Sequence, residues 1–266
     1  MTTPYEQSVA LKPDLDLHLA QAGTGRPALI LHGGAGPTSV STLVTHLSKS
    51  MHTITPTHPG WDGAPRPAWL SGIGKLARAY LRYLYETGLH DVLVVGSSIG
   101  GWLAVEMAVR DADHRIGGLV LIDPVGIAVA GEPILNVFEN PPPSVFEATF
   151  YDPAKFAPDA ATMTGERVAQ QRSNMATLRV LAGDPYMHDP GLLERIKRVS
   201  IPALVLWGAA DRIATPAYGR AYAAAFADAR FETIEHAGHL PHVEQPEATF
   251  AFVDDFVSQR LNLRIG

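Results

Sequence analysis

The 266-residue chain contains no cysteine. That excludes disulfides, thiolate metal sites and a cysteine nucleophile together. Charge is also scarce: 18% of residues are Asp, Glu, Lys or Arg against 46% hydrophobic, a balance that suits a large buried core and argues against global disorder. No lysine- or arginine-rich run offsets the formal net charge of −6. A nucleic-acid partner is therefore not expected, because phosphate backbones call for clustered positive charge. No apolar run approaches the roughly 20 residues needed to span a bilayer, so no membrane partner is expected either. The first residues, MTTPYEQSVALKPDLDLH, lack the basic start and apolar stretch of a signal peptide, which predicts a cytoplasmic protein.

What is present is a regular alternation of short apolar runs and amphipathic segments. The runs Asp14–Ala20, Ala28–Leu31, Thr53–Thr55, Val92–Val95, Gly118–Ile122, Ala203–Trp207 and Phe231–Ile234 read as strands. Several are nearly continuous in Val, Ile and Leu, as strands covered on both faces are. The first differs: Leu15, Leu17 and Leu19 alternate with Asp16 and His18, as in a half-exposed antiparallel edge. Segments of helical length lie between, at Ser39–Lys49, Ser71–Thr87, Gly100–Arg110, Pro216–Ala227 and Pro246–Leu261. This order predicts an α/β fold with a mostly parallel central sheet flanked by helices. After Asp123 the alternation breaks for roughly seventy residues, too long for a simple connection. With probable helices near Ser144–Phe150, Thr164–Leu181 and Pro190–Arg198, residues 125–199 read as a helical cap inserted into a core made of 1–124 and 200–266.

The strongest chemical signal is Gly96–Ser97–Ser98–Ile99–Gly100, a G-x-S-x-G between a buried strand and a helix. A sharp strand-to-helix turn exposes the central hydroxyl, and the residues two before and two after must be nearly side-chain-free. Gly96 and Gly100 meet that need for Ser98; centring the turn on Ser97 would place Val95 and Ile99 there. A serine nucleophile needs a base, and the candidates cluster in Glu235–His242. His239 follows Gly238 and is favoured over His236, which lies one residue from the strand. The even spacing of His236, His239 and His242 fits neither an i, i+4 pair nor a closed site, so no metal is expected. The imidazole needs a carboxylate to set its tautomer. Asp211, after the strand Ala203–Trp207, is preferred to Asp123, which leads straight into Pro124 and the insertion; the order Ser…Asp…His agrees. An oxyanion would be stabilised by the Ile99 amide at a helix start and by an amide from the glycine-rich loop Leu31–Gly36. That loop has neither G-x-G-x-x-G spacing nor a Walker lysine.

Taken together, these motifs resemble those of the capped α/β-hydrolase superfamily over essentially the whole chain. His32–Gly33–Gly34 resembles the oxyanion H-G-x motif, which implies the Gly34 amide as second donor. Gly208–Ala209–Ala210–Asp211 through Pro216 resembles the acid loop, and Gly238–His239 with Glu244–Gln245–Pro246–Glu247 resembles the closing segment. The resemblance implies a serine hydrolase that needs no cofactor but does not name its substrate; the apolar residues of 125–199 predict a small, largely hydrophobic ester, thioester or lactone. Serine at 98 rather than aspartate argues against epoxide hydrolase and dehalogenase activity. Leu240 stands where meta-cleavage-product hydrolases usually carry tryptophan, which disfavours C–C bond hydrolysis. Perhydrolase or lyase activity, and a receptor on the same scaffold, are the other readings. Around the serine, His32, Trp61, Trp102, Phe138, Phe146 and Leu240 are candidates to line the pocket; for the two tryptophans, packing is an equal alternative.

Overall fold

In a computed structural model that describes residues 5–157 and 163–260, the apolar runs become one eight-stranded sheet. The strands are β1 (Tyr5–Lys12), β2 (Leu15–Ala22), β3 (Pro27–Leu31), β4 (His52–Thr57), β5 (Val92–Ser97), β6 (Ile116–Ile122), β7 (Ala203–Gly208) and β8 (Ala229–Ile234). Their spatial order is β1-β2-β4-β3-β5-β6-β7-β8, with β1, β2 and β4 paired antiparallel and the remaining pairs parallel. β1 is an addition to the sequence reading. It is an edge strand, mostly exposed, whose YEQSVALK run lacks a buried face to betray it. It pairs with β2 from Tyr5 opposite Gln21 to Lys12 opposite Leu15.

Each central strand buries both faces. Leu29, Leu31, Val94, Leu119, Leu121, Val205 and Trp207 pack on one side with Leu76, Tyr80 and Leu84 of α2 (Ile73–Glu86) and with α3 (Ile99–Ala108) and α8 (Pro216–Ala223). Ala28, Ile30, Leu93, Val95, Val120, Ile122, Leu204 and Leu206 face the other way, against α1 (Ser41–Leu47) and α10 (Pro246–Arg260). Strict period-2 geometry with apolar residues at both parities is why these strands read as continuous hydrophobic runs. Helix starts follow the proline and threonine signals: Pro216 opens α8 behind Thr215, whose hydroxyl accepts from the Tyr218 N–H. The expected end of the last helix, Leu261, lies outside the described residues.

Between β6 and β7 the chain leaves the sheet and forms α4 (Pro142–Thr149), α5 (Pro153–Phe156), α6 (Gly165–Ala182) and α7 (Leu192–Ile196). Leu178, Leu181, Met187, Leu192 and Ile196 join the main core, whereas Tyr151 and Met175 are exposed. The end of the insertion is fastened to α3 through Glu106, a buried carboxylate. It accepts from Trp102 Nε1 at 3.3 Å, from Arg195 Nη2 at 3.1 Å and from Arg110. A carboxylate so deep in the protein requires such partners. None of the helices in the described residues is long and apolar enough to cross a membrane.

Candidate active site

The strand order reverses between β3 and β5, the point in an open α/β sheet where loops diverge and leave a crevice at the carboxyl edge. Five loops meet there. The tightest is the turn from β5 into α3, where Ser98 adopts φ 57° and ψ −118°, a region L-residues avoid. The turn closes only because its flanks lack side chains: a Cβ on Gly96 would sit 2.2 Å from Gly100 O, and one on Gly100 would sit 2.2 Å from Leu31 O. The Ser98 N–H is held by Ile122 O at 2.9 Å, which ties the turn to β6.

His239 Nε2 lies 2.9 Å from Ser98 Oγ, and His239 Nδ1 lies 2.7 Å from Asp211 Oδ2. A carboxylate at Nδ1 places the ring proton there and leaves Nε2 to accept the serine hydroxyl. Asp211 is fixed in turn by the Ile213 and Ala214 amides, which donate to Oδ1 at 2.7 and 3.2 Å. The imidazole therefore faces Asp211. Asp123 stands beside that carboxylate: it is wholly buried, with positive φ (45°), and its Oδ1 accepts from the Gly208 N–H at 2.9 Å. Burial, and next the charge of Asp211, push the Asp123 carboxyl well above the usual carboxylate range. Asp123, Asp211 and His239 bring one potential ligand atom each within 4.8 Å of one another. Their direct 2.7 Å N–O contact is a hydrogen bond, closer than two ligands of one ion sit.

The other two histidines of the 236–242 run point elsewhere. His236 is exposed and packs against the Tyr151 ring, while His242 Nε2 donates to Ser39 O at 2.9 Å. Burial lowers the His242 pKa to about 4.

Opposite Ser98 runs the His32–Gly36 loop; a Cβ on Gly33 would lie 3.2 Å from Ser98 Cβ. Its shape is set by a buried network. His32 Nε2 accepts the His58 backbone N–H at 3.0 Å, so the His32 proton sits on Nδ1 and is donated to Gly33 O at 2.7 Å. His58 Nε2 donates to His32 O at 3.1 Å, which leaves its Nδ1 to accept from Tyr80 Oη at 2.6 Å. Every ring nitrogen is committed to one role, and a second proton on either ring would face a donor. Burial accordingly lowers the His32 pKa to about 4 and that of His58 well below its ordinary value. Trp61 Nε1 donates to Gly34 O at 3.0 Å from a fully buried ring. His32 and Trp61, read from sequence as pocket candidates, are thus committed to holding this loop. As the first residue of α3, Ile99 offers an N–H with no intrahelical acceptor, and the Gly34 N–H has no protein acceptor among the described residues.

The remaining pocket candidates divide. Trp102 is buried against Gly126, where a Cβ would come within 2.4 Å of its ring. Phe138 packs inside the insertion between Tyr186 and the Arg179 guanidinium, the latter 4.2 Å from its ring centre. Phe146 stacks toward Phe150 and, like Leu240, is only partly buried. Leu178 of α6 reaches the His32–Gly36 loop, 3.2 Å from a Cβ placed on Gly34.

One residue inside the closing motif has a task that spacing alone does not disclose. Glu244 accepts from Gly238 N at 2.5 Å with one oxygen and from Tyr151 N at 2.8 Å with the other. The His239 N–H donates to Thr149 O at 2.7 Å, and Arg212 donates to Phe150 O at 2.8 Å and to Glu147 O. The end of α4 is thereby joined to the loops carrying both His239 and Asp211. His58 and Tyr80, which brace the His32–Gly36 loop, carried no sequence signal beyond a histidine after a strand and a tyrosine on an apolar helix face.

A family model described as "Alpha/beta hydrolase family" matches residues 28–252. Over 280 residues the chain is 26% identical to a 2-hydroxy-6-oxononadienedioate/2-hydroxy-6-oxononatrienedioate hydrolase of Burkholderia vietnamiensis, covering 96% of each chain. It is 25% identical to Lipase 1 of Psychrobacter immobilis, covering 85% of this chain and 74% of the lipase. Among solved structures, a bacterial membrane phospholipase A superposes with a TM-score of 0.82 at 24% identity, covering 98% of this chain and 87% of that one. That likeness speaks to the fold, and the C–C hydrolase and the lipase differ in the bond they cleave, so the shared element is the scaffold. Because the family model spans most of the sheet and every loop at its carboxyl edge, the chain belongs to the alpha/beta hydrolase family.

Proposed function

We propose that the protein is a serine hydrolase that cleaves an ester-like bond of a small, largely apolar substrate through an acyl-enzyme on Ser98. The observation that carries this reading is the unbroken hydrogen-bond chain from Ser98 Oγ through His239 to Asp211. Ser98 Oγ attacks the carbonyl carbon as His239 Nε2 takes its proton. The tetrahedral oxyanion is held by the Ile99 and Gly34 amides, and His239 returns the proton to the leaving group. Water activated by the same imidazole then releases the acid. Asp211 stays ionised throughout and stabilises the imidazolium. Residues 125–199 act as a cap, and Leu178, which reaches the Gly34 loop, lines the pocket together with Leu240 and Phe146.

A second reading, hydrolysis of a C–C bond in a 2-hydroxy-6-oxo-dienoate, is favoured by the full-length match to the Burkholderia hydrolase. Leu240 supports the ester reading instead. The test is intact-mass labelling by a fluorophosphonate on wild type and Ser98→Ala, followed by an acyl chain-length series of esters beside a 2-hydroxy-6-oxo-dienoate. The expected result is one adduct on wild type, none on the variant, and a higher kcat/KM for an ester. No adduct on folded wild type removes the serine-nucleophile reading. A dienoate preferred over every ester establishes C–C hydrolysis.

A further inference from the structure

Asp211 is a carboxylate with about four acceptor positions. Ile213 and Ala214 N–H occupy Oδ1, and His239 Nδ1–H occupies one position on Oδ2. One position remains. Beside it lies Asp123, with no solvent exposure, one oxygen bound by Gly208 N–H and the other, Oδ2, without a partner when the group is counted as ionised. A buried carboxylate oxygen left unpaired is costly, and two adjacent buried carboxylates cannot both carry charge cheaply. The charged groups bearing on Asp123 among the described residues are Asp211, from the loop after β7, and Glu244 on α9 (Pro241–Glu244), both acidic. His239, from the loop after β8, is turned to Asp211.

We propose that Asp123 is a positioning residue that remains protonated and donates its O–H to Asp211, filling the last acceptor site of the carboxylate that orients His239. The assignment rests on reading Ser98, His239 and Asp211 as the triad. No proton is transferred: Asp123 keeps its hydrogen, Asp211 keeps its charge, and a neutral donor fixes that charge without adding a cation to the site. The position that Asp123 holds at the end of β6, anchored by its own N–H to Leu206 O at 3.0 Å, makes the donor rigid.

The protonation has a consequence for stability whose sign is definite. Above the ordinary carboxylate range, near pH 4, the unfolded chain releases the Asp123 proton while the folded chain keeps it. The unfolded state then binds fewer protons, and the contribution of this group to stability falls as pH rises toward its folded pKa. Asp123→Asn, the uncharged isostere of the protonated acid, lacks that slope.

The experiment is performed on the full chain. At pH 7 the infrared spectrum of wild type should contain a protonated-carboxyl C=O band that Asp123→Asn lacks. The Tm advantage of Asp123→Asn over wild type should grow between pH 4 and pH 8 by roughly 3 °C per pH unit. Asp123→Leu, which removes the donor, should slow fluorophosphonate labelling of Ser98 by about 10-fold, and Asp123→Asn should recover most of that loss. Absence of the band at pH 7, or a Tm advantage that shrinks as pH rises, overturns the proposal whether or not the leucine variant folds. If the band is present but wild type does not label, the hydrolase reading fails, and with it the positioning role, while the protonated Asp123 beside Asp211 stands.

Discussion

The carboxyl edge of the sheet and the described part of the insertion between β6 and β7 are held by different kinds of contact. At the edge the ends of β5, β6 and β7 are tied to their neighbours by backbone groups: Ser98 N–H to Ile122 O at 2.9 Å, Asp123 N–H to Leu206 O at 3.0 Å, and Ala210 N–H to Ala237 O at 2.9 Å. Gly208 and Gly238 touch so closely that a Cβ on the former would lie 1.8 Å from the carbonyl of the latter. The insertion is attached largely by individual side chains. Asn174 exchanges two hydrogen bonds with Asp62, Thr177 donates to Gly60 O, Arg212 and Glu244 grip the end of α4, and Arg195 reaches Glu106. Backbone ladders are rigid and indifferent to most substitutions. Side-chain clasps can be removed singly, so geometry at the edge should be hard to perturb from a distance, whereas the insertion should loosen one clasp at a time.

Three substitutions probe this contrast, in falling order of effect. Asp211→Asn, at the edge, keeps the shape but offers His239 a donor in place of an acceptor. It should lower kcat by about 10⁴ in an ester assay, with KM little changed. A loss below about 10-fold would mean that the carboxylate is not the imidazole's orienting partner. Glu244→Gln acts at the junction of the two regions. Its amide would turn an N–H donor toward Gly238 N or Tyr151 N, which should cost about 1–3 kcal/mol, a Tm decrease of roughly 3–8 °C, together with a kcat several-fold lower. Unchanged kcat beside a lowered Tm would show that the edge holds His239 without help from the insertion. Asn174→Ala lies within the insertion itself. It removes both hydrogen bonds between α6 and Asp62 and should raise KM about 2–5-fold while leaving kcat near wild type, read from steady-state kinetics on the same ester. A matching fall in kcat would make α6 part of the catalytic geometry and erase the distinction between the regions.

The same contrast separates what could be read in the sequence from what could not. Strands β3, β5, β6 and β7 were legible because burial on both faces writes itself as unbroken Val, Ile and Leu. The Ser98 turn was legible because its sterics demand glycine at 96 and 100. The antiparallel edge was half legible: β2 showed alternation, but β1 exposes most of its side chains, so no hydrophobic period marks it. His32 sits in the H-G-x motif and Trp61 follows a strand's carboxyl end, and position along the chain drew both toward the pocket. Their partners, Gly33 O, His58 N and Gly34 O, are backbone atoms that any sequence supplies, so nothing in the residue types announced which way the rings turn.

The sequence by itself determined the α/β scaffold and a short set of candidate side chains, because periodicity and steric exclusion are local properties. The sequence favours Asp211 over Asp123 as the partner of His239, but only the tertiary structure shows the geometry that separates them. Asp123 and Asp211 both follow buried strands of one sheet, and strand ends alone make them equivalent. What separates them is the loop after β7. It carries Asp211 out to His239 Nδ1, whereas Asp123 stays in the interior, between the amide of Gly208 and the carboxylate of its neighbour. Long-range proximity of that kind depends on how loops return across the sheet, which local periodicity does not encode.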